Sequence, residues 1–284
     1  MLEEIIRQGP LKDVVIKQHD TGRVFLRSKP TIEVAPEEFD IVSRKKAIMV
    51  TSVAKIIFRL LEENGIKTAF IDELSELHEL RQKRCVMFPA TFIVRRVAFG
   101  TYPIRNPYIE FGTEMSTPIV DIFFQTDNPS VGTGHFSVIP PHRRMPIQIL
   151  HDDEGKIANI ILHHPNYPNM AHHQCRMSIN AFPKSRKTLE ERLVEIETLA
   201  KKVFLILEIF FAQMNIRLTD VKVEVGYDIK GNLLVADIIS LDSWRVFIDG
   251  KNYGKKVCHE QKITKTEALE RFSVLAEMIE KHKN

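Results

Sequence analysis

The 284-residue chain is 44% hydrophobic and 27% charged, as expected for a globular protein with a buried core. Its 40 Lys and Arg residues nearly match its 37 Asp and Glu residues, which argues against a nucleic acid as its partner. No apolar run reaches the ~20 residues of a membrane span, the acidic N-terminus does not resemble a secretory signal, and the three cysteines are widely spaced, so we expect a cytoplasmic protein with no membrane partner.

The first third of the chain predicts a sheet with one helix packed on it. Short apolar runs at residues 13–17 and 23–27 flank Asp20-Thr21-Gly22 and predict a hairpin. Residues 47–64 place apolar side chains at three- and four-residue spacings before Gly65, which predicts an amphipathic helix. Three further strands are predicted from β-branched and aromatic content, over residues 67–71, 85–88 and 91–94.

The C-terminal part predicts two long helices around a second hairpin. The first helix covers residues 188–214, with Thr188 and Glu191 as a capping box, and the second covers residues 266–281. Two strands between the helices, residues 221–225 and 233–238, flank a Lys-Gly-Asn turn. Residues 128–178 break every period with proline, glycine and histidine, so we predict a long excursion with short regular segments.

Three segments, in this order along the chain, resemble the SAICAR synthetase family of purine biosynthesis. Residues 93–101 resemble the family's Val-x-Arg-Arg-x-x-x-Gly-Ser signature, with Thr101 in place of serine. Residues 220–226 are similar to its Lys-x-Glu-Phe-Gly strand, and residues 236–245 resemble its Asp-x-x-x-x-Asp-Ser-x-Arg block in the animal form. Each segment alone is a weak signal, whereas the ordered set is specific.

The resemblance implies a fold and a reaction. The implied fold is α+β and two-lobed, with antiparallel sheets, flanking helices and an ATP-grasp or kinase-like nucleotide cleft. We place the lobes at residues 1–84 and 85–284. The implied ligands are ATP, Mg²⁺, L-aspartate and carboxyaminoimidazole ribotide, joined as an amide by way of a phosphorylated carboxylate. Animal relatives fuse this part to a carboxylase domain, which we expect this chain to lack, and a homo-oligomer or an assembly with a complete family member is possible.

Two carboxylates and two lysines are the implied nucleotide and metal residues. Glu224 and Asp237 lie on the two arms of the predicted C-terminal hairpin, where cross-strand neighbours can share Mg²⁺. The alternative is a pair of solvent-facing strand carboxylates. Lys12 is expected to contact the phosphates of ATP, and Lys46 matches the family lysine that precedes the first long helix.

The implied substrate residues come from the first and third motifs. Arg95, Arg96 and Thr101 are placed at the ribotide phosphate, because guanidinium groups and a hydroxyl beside a glycine suit a phosphate. The alternative is an exposed basic pair. The remaining implied residues are placed at the reacting and amino-acid carboxylates, with a turn or N-cap cluster as the alternative: Asp242, Ser243 and Arg245.

Several positions depart from the family pattern where a charged side chain is expected. Pro10 stands in place of a lysine, Pro30 in place of an aspartate, and Gln125 in place of the lysine of a Lys-Asp-Asp sequence. Proline and glutamine cannot neutralise an anion. We therefore expect impaired catalysis. The alternative is a degraded, non-catalytic paralogue that serves as a ligand-binding, storage or structural protein.

A group of histidines and one cysteine marks the excursion. Imidazole and thiolate are zinc ligands, but their spacing matches no defined zinc motif, so we expect a polar loop that holds no metal. The group consists of His142, His151, His163, His164, His172, His173 and Cys175.

Overall fold

A computed structural model describes most of the chain. The described residues are 2–35, 38–74, 78–124, 145–163, 174–177, 179–182 and 184–283. They form two compact units that are not continuous in sequence. The first comprises Met1–Val86, Val203–Val221 and Gly226–Asn284, and the second comprises Met87–Lys202 and Lys222–Val225. Antiparallel sheets and helices occur together, so the α+β class is confirmed. The lobe boundary predicted at residue 84 stays a prediction.

The first unit contains a five-stranded antiparallel sheet in the order β1-β2-β3-β7-β6. Its strands are β1 (Glu3–Gln8), β2 (Lys12–Lys17), β3 (Arg23–Ser28), β6 (Phe70–Leu74) and β7 (Glu79–Lys83). A separate hairpin joins β4 (Thr31–Ala35) and β5 (Glu38–Ile41). The hairpin predicted at residues 13–17 and 23–27 is confirmed as β2 and β3.

The helix α1 (Arg44–Glu63) packs on the five-stranded sheet through an apolar face. The side-chain oxygen of Ser43 accepts a hydrogen bond from the Lys45 amide at 3.1 Å and starts the helix. Gly65, at a φ of 78°, follows the helix, a conformation that glycine adopts without strain. Val53, Ile57 and Leu61 are fully buried. The helix predicted over residues 47–64 is therefore confirmed, with a start three residues earlier.

The rest of the first unit consists of short strands and two C-terminal helices. The strand β15 (Trp244–Ile248) lies between β13 (Arg217–Tyr227) and β16 (Lys251–Asn252), and β14 (Leu233–Ala236) pairs with β13. The helices are α4 (Val257–Gln261) and α5 (Lys265–Lys283). The predicted hairpin and final helix are confirmed. Its second strand, predicted over residues 233–238, ends at Ala236 instead, because the backbone turns at the next residue.

The second unit contains antiparallel strands in the order β12-β11-β10-β9-β8. They are β8 (Val86–Val97), β9 (Glu114–Phe124), β10 (Met145–His151), β11 (Ile157–His163) and β12 (Gln174–Met177), with the short helix α2 (Tyr102–Arg105) between β8 and β9. The two strands predicted at residues 85–88 and 91–94 are one strand, so that prediction is wrong. Within the described residues, the first pair between β8 and β9 joins Ala90 to Phe124, and Pro89 lies inside β8 one residue before that pair.

The helix α3 (Leu189–Ala212) contributes to both units. The amide of Thr188 donates to Glu191 at 2.7 Å and the amide of Glu191 donates to Thr188 Oγ1 at 3.2 Å, so the predicted capping box is confirmed. Among the described residues, no helix has the length and apolar content needed to cross a membrane. The described part of the excursion contributes β10, β11 and β12.

Candidate functional site

The predicted phosphate ligand Lys12 contacts Asp237 within the first unit. Lys12 lies at the start of β2, and its ammonium group forms an ion pair with Asp237 Oδ1. The Asp237 side chain is 7% exposed, so its charge is largely removed from water. Lysine is therefore a counter-ion for this carboxylate, and the same carboxylate can ligate a divalent cation.

The backbone of Asp237 has an unusual conformation. Its φ is 65°, in the left-handed region that residues other than glycine rarely adopt. The side-chain amide of Gln82, which is 2% exposed, donates from Nε2 to the Asp237 carbonyl oxygen at 2.8 Å. Asp237 therefore follows β14 at a bend rather than forming part of a regular strand, as the hairpin prediction supposed.

Lys46 and Asp242 form a second ion pair in the first unit. Lys46, in the first turn of α1, is 0% exposed and its ammonium group contacts Asp242 Oδ2. Beside it, Ser243 Oγ donates to the Ile238 carbonyl oxygen at 2.8 Å and accepts from the Ser240 amide at 3.1 Å. The turn alternative predicted for Ser243 therefore describes its contacts, and Asp242 is the acidic group that this turn holds against Lys46.

Arg245 is buried between two carboxylates of the first unit. Its Nη1 donates to Asp220 Oδ2 at 2.8 Å, and its Nη2 donates to Glu260 Oε1 at 2.6 Å. Lys255 also contacts Asp220, at 2.6 Å. Burial opposes the charge of Arg245, but Asp220 and Glu260 outweigh it and raise the pKa of the guanidinium above its ordinary value. Asp220 and Glu260 therefore accept the hydrogen bonds from Arg245 that a substrate carboxylate would otherwise accept.

Arg95 belongs to a buried charged cluster in the second unit. Its Nη2 donates to Asp121 Oδ2 at 3.0 Å, and the guanidinium of Arg105 contacts the same oxygen. The Arg95 and Asp121 side chains are 3% and 5% exposed. Burial and the Asp121 charge raise the pKa of the neighbouring Tyr102, whose ring lies near both guanidiniums. Two guanidinium groups therefore converge on one carboxylate, and guanidinium groups suit an anion such as phosphate.

The other predicted phosphate residues lie near the same chain segment. Arg96 is half-buried and donates from Nη1 to the Ser116 carbonyl oxygen at 2.9 Å, and Arg95 is buried, so the two arginines do not form the exposed basic pair of the alternative. Thr101 precedes α2 as its N-cap residue without a capping hydrogen bond from its side chain. Gly100, at a φ of 64°, has a conformation that glycine favours and that brings the backbone of this turn around.

Glu224 is the predicted metal ligand of the second unit. Its Oε1 accepts from Thr91 Oγ1 at 3.1 Å and from Lys222 Nζ at 3.0 Å, and its side chain is 16% exposed. A largely buried carboxylate that already binds a cationic side chain fits the hard oxygen donors that Mg²⁺ prefers. The metal role predicted for Glu224 and Asp237 stays a prediction.

No cluster of three or more His, Cys, Asp or Glu side chains suited to a metal occurs within the described residues. Most of the predicted histidine group lies outside them, as does the predicted departure at Gln125. A surface cavity of about 280 Å³ in the first unit, lined by residues such as Lys67, Lys83 and Asp228, contains none of the predicted site residues.

Comparison with known proteins decides the family. The sequence model of SAICAR synthetase matches residues 9–132 and 163–271 of this chain. The chain belongs to the SAICAR synthetase family. The resemblance inferred from the three motifs is therefore confirmed, and the match includes all ten predicted site residues.

Relatives and solved structures of this family align along nearly the whole chain. The phosphoribosylaminoimidazole-succinocarboxamide synthase of Herpetosiphon aurantiacus is 24% identical over 278 residues, 96% of this chain and 94% of its own. The bifunctional carboxylase and synthetase of Rattus norvegicus is 28% identical over 88% of this chain, which spans 50% of that relative. The crystal structure of the Ehrlichia chaffeensis synthase has a TM-score of 0.70 at 21% identity, with 98% of each chain covered. A SAICAR synthetase solved in complex with ADP has a TM-score of 0.68 at 23% identity, with 97% of each covered.

Within this family member, the sequence did not reveal the partners of the charged motif residues. Asp121 is an acidic residue among the apolar residues at the end of β9, and a buried aspartate is rarely without a partner, so this local pattern could have identified it. Glu260 and Gln82 lie outside the three motifs and are brought to Arg245 and Asp237 by the fold, so no local signal identifies them.

Proposed function

We propose that this SAICAR synthetase family member is an ATP-dependent ligase that joins L-aspartate to carboxyaminoimidazole ribotide. The observation that carries the proposal is that family-matched charged residues are held in buried ion pairs, Lys12 with Asp237 in one unit and Arg95 with Asp121 in the other. Buried charge is costly unless it is paired, so side chains of this kind are well suited to oriented binding of charged ligands.

We assign ATP and Mg²⁺ to Lys12, Glu224 and Asp237. The Asp237 carboxylate is nearly buried and contacts the Lys12 ammonium group, and its oxygens are donors of the kind that Mg²⁺ prefers. A bound Mg²⁺ would neutralise charge on the phosphate oxygens of the nucleotide. Lys12 would contact those oxygens with its ammonium group. The ADP complex of a solved relative supports the nucleotide assignment.

We assign the ribotide phosphate to Arg95, Arg96 and Thr101, because two guanidinium groups, of Arg95 and Arg105, converge at Asp121 and guanidinium groups bind phosphate oxygens well. We assign the amino-acid end to the Lys46 and Asp242 pair. The Asp242 side chain is 17% exposed and can accept a hydrogen bond from an ammonium group.

Ser243 and Arg245 complete the proposed carboxylate site. Ser243 holds the turn at residues 238–243 through its two hydrogen bonds, while Arg245 is bound by Asp220 and Glu260. We therefore propose that these two residues act chiefly by fixing the segment that presents Asp242.

We further propose that ligation is slow. The Pro10 carbonyl oxygen accepts a hydrogen bond from Thr31 Oγ1, but proline carries no positive charge, and neither does Gln125. A missing charged group acts on the transition state more than on the bound ligands, so turnover falls while affinity is comparatively unaffected. Neither the family match nor the described contacts gives a reason to prefer a non-catalytic storage or structural protein.

Isothermal titration calorimetry with two ligands tests this assignment. Asp237→Asn should weaken the binding of ADP in the presence of Mg²⁺, whereas Arg95→Ala should weaken the binding of the ribotide, each by about tenfold or more because a charge-assisted contact is lost. Each variant should bind the other ligand as the wild type does. If each variant weakens both ligands equally, the residues are structural and the assignment is wrong.

A further inference from the structure

The conformation of Asp237 needs an explanation beyond its side chain. A φ of 65° brings the β-carbon of an L-residue close to the backbone and is tolerated by aspartate only when the surroundings hold it. The Lys12 ion pair acts on the carboxylate and leaves the peptide plane free to turn. A second contact, on the backbone, is therefore required to keep this conformation.

Gln82 supplies that contact from the interior of the sheet. It lies in β7, with Val24 of β3 and Phe70 of β6 as its neighbours in register on either side. Gln82 is 2% exposed, and its Nε2 donates to the Asp237 carbonyl oxygen at 2.8 Å. Because both neighbouring strands fix the backbone of β7, the amide group is a rigid donor.

The chain before Asp237 is also fixed. The Val235 amide donates to the Lys67 carbonyl oxygen at 3.0 Å, and the Ala69 amide donates to the Val235 carbonyl oxygen at 2.8 Å. Rotation is therefore confined to the bend at residue 237. Once the carbonyl group of Asp237 is held as well, the direction of its side chain follows from the backbone geometry.

We propose that Gln82 is a positioning residue that holds the Asp237 carboxylate in the orientation for binding the metal ion of a metal-nucleotide complex. The inference rests on the proposed function, since it takes Asp237 as the metal ligand. Without the Gln82 donor, the buried carbonyl oxygen of Asp237 loses this hydrogen bond, and the backbone at the bend rotates so that the oxygen can accept from another donor. The Asp237 carboxylate then no longer points toward the Lys12 ammonium group.

Calorimetric titration of ADP, with and without Mg²⁺, separates positioning from general support of the fold. Gln82→Met keeps an unbranched side chain of similar size and removes the donor. We expect about tenfold weaker ADP binding with Mg²⁺, equivalent to the loss of one hydrogen bond, and a change below twofold without it. In an Asp237→Asn background the same replacement should change neither affinity. Equal weakening with and without Mg²⁺ would overturn the proposal.

Two further variants keep this test decisive. Thr51→Val removes a different buried hydrogen bond in the same unit, to the Ala47 carbonyl oxygen, and should leave the Mg²⁺ dependence unchanged. Gln82→Leu also removes the donor without adding a charge, so it should reproduce the effect if Gln82→Met fails to fold.

If the chain binds no ADP, that result refutes the proposed function but does not test the role of Gln82. Crystal structures of the wild type and of Gln82→Met test that role independently. The wild type should keep Asp237 at a positive φ with its carboxylate on Lys12, and the variant should lose both. An unchanged Asp237 in the variant would overturn the positioning role while leaving the proposed function intact.

Discussion

Replacing Asp121 by asparagine tests whether the arginine cluster is a buried, charge-coupled site. Asparagine keeps the size of the side chain and one acceptor oxygen but removes the negative charge. The side chains of Arg95 and Arg105 are 3% and 12% exposed, and the substitution leaves these two guanidinium groups beside each other without a negative charge between them. We expect this variant to be destabilised strongly, since like charges that are removed from water repel and are poorly hydrated.

The size of the loss follows from the distance and the burial. Unit charges 3.0 Å apart, the separation of Arg95 Nη2 and Asp121 Oδ2, attract by about 5 kcal/mol at an effective dielectric constant of about 20. Measured losses on removing one member of a buried pair are about 3–5 kcal/mol. Because asparagine retains an acceptor, we expect about 3 kcal/mol, or a fall of roughly 6–12 °C in the melting temperature.

Urea unfolding monitored by circular dichroism measures this free energy, with Glu154→Gln as the matched control. Glu154 pairs with Lys156 at 2.7 Å in the same unit, but the two side chains are 72% and 71% exposed. An exposed pair contributes about 0–1 kcal/mol, so the control should unfold at nearly the wild-type urea concentration. Equal losses for Asp121→Asn and Glu154→Gln would refute the reasoning, because burial would then make no difference.

Two further predictions concern buried groups of the first unit. Asp242→Asn should lower the free energy of unfolding by about 3 kcal/mol, because it leaves the fully buried ammonium group of Lys46 without its carboxylate. Lys46→Met should lower it less, because methionine removes that charge. The opposite order in urea unfolding would contradict this prediction. Burial and the Asp228 charge raise the pKa of the Cys85 thiol to about 11. In a Cys175→Ser, Cys258→Ser background, iodoacetamide should therefore label Cys85 at pH 8 about 100-fold more slowly than it labels free cysteine. The labelling rate should still rise above pH 10, and a plateau near pH 9 would count against this prediction.

Local signals predicted the helices well. Gly65 predicted the end of α1, and the Thr188 and Glu191 capping box predicted the start of α3, because each acts on residues within one turn. Ser43, which starts α1, was not identified from the sequence. The sheets were harder, because pairing depends on residues far apart in sequence. β1, β4 and β5 were not predicted, and β8 was predicted as two strands rather than one.

The candidate site divides in the same way. The three motifs identified Arg95 and Asp237, and the family resemblance implied Lys12, but the partners of these residues depend on tertiary contacts. Asp237 was predicted as a regular strand residue, and no strand pattern predicts a positive φ that depends on Gln82 from another sheet. Fold and side-chain chemistry are thus predictable from the motifs, whereas the partner of each charge is not.

The central claim is that this SAICAR synthetase family member joins L-aspartate to carboxyaminoimidazole ribotide at the expense of ATP. Mass spectrometry of the purified chain incubated with Mg²⁺ and all three compounds tests it most directly. We predict the succinocarboxamide product together with ADP and phosphate in equal amounts, at a turnover below about 1 per second, absent when any one compound is omitted and absent in Asp237→Asn. Failure to form product while the wild type binds ADP and the ribotide would contradict the account.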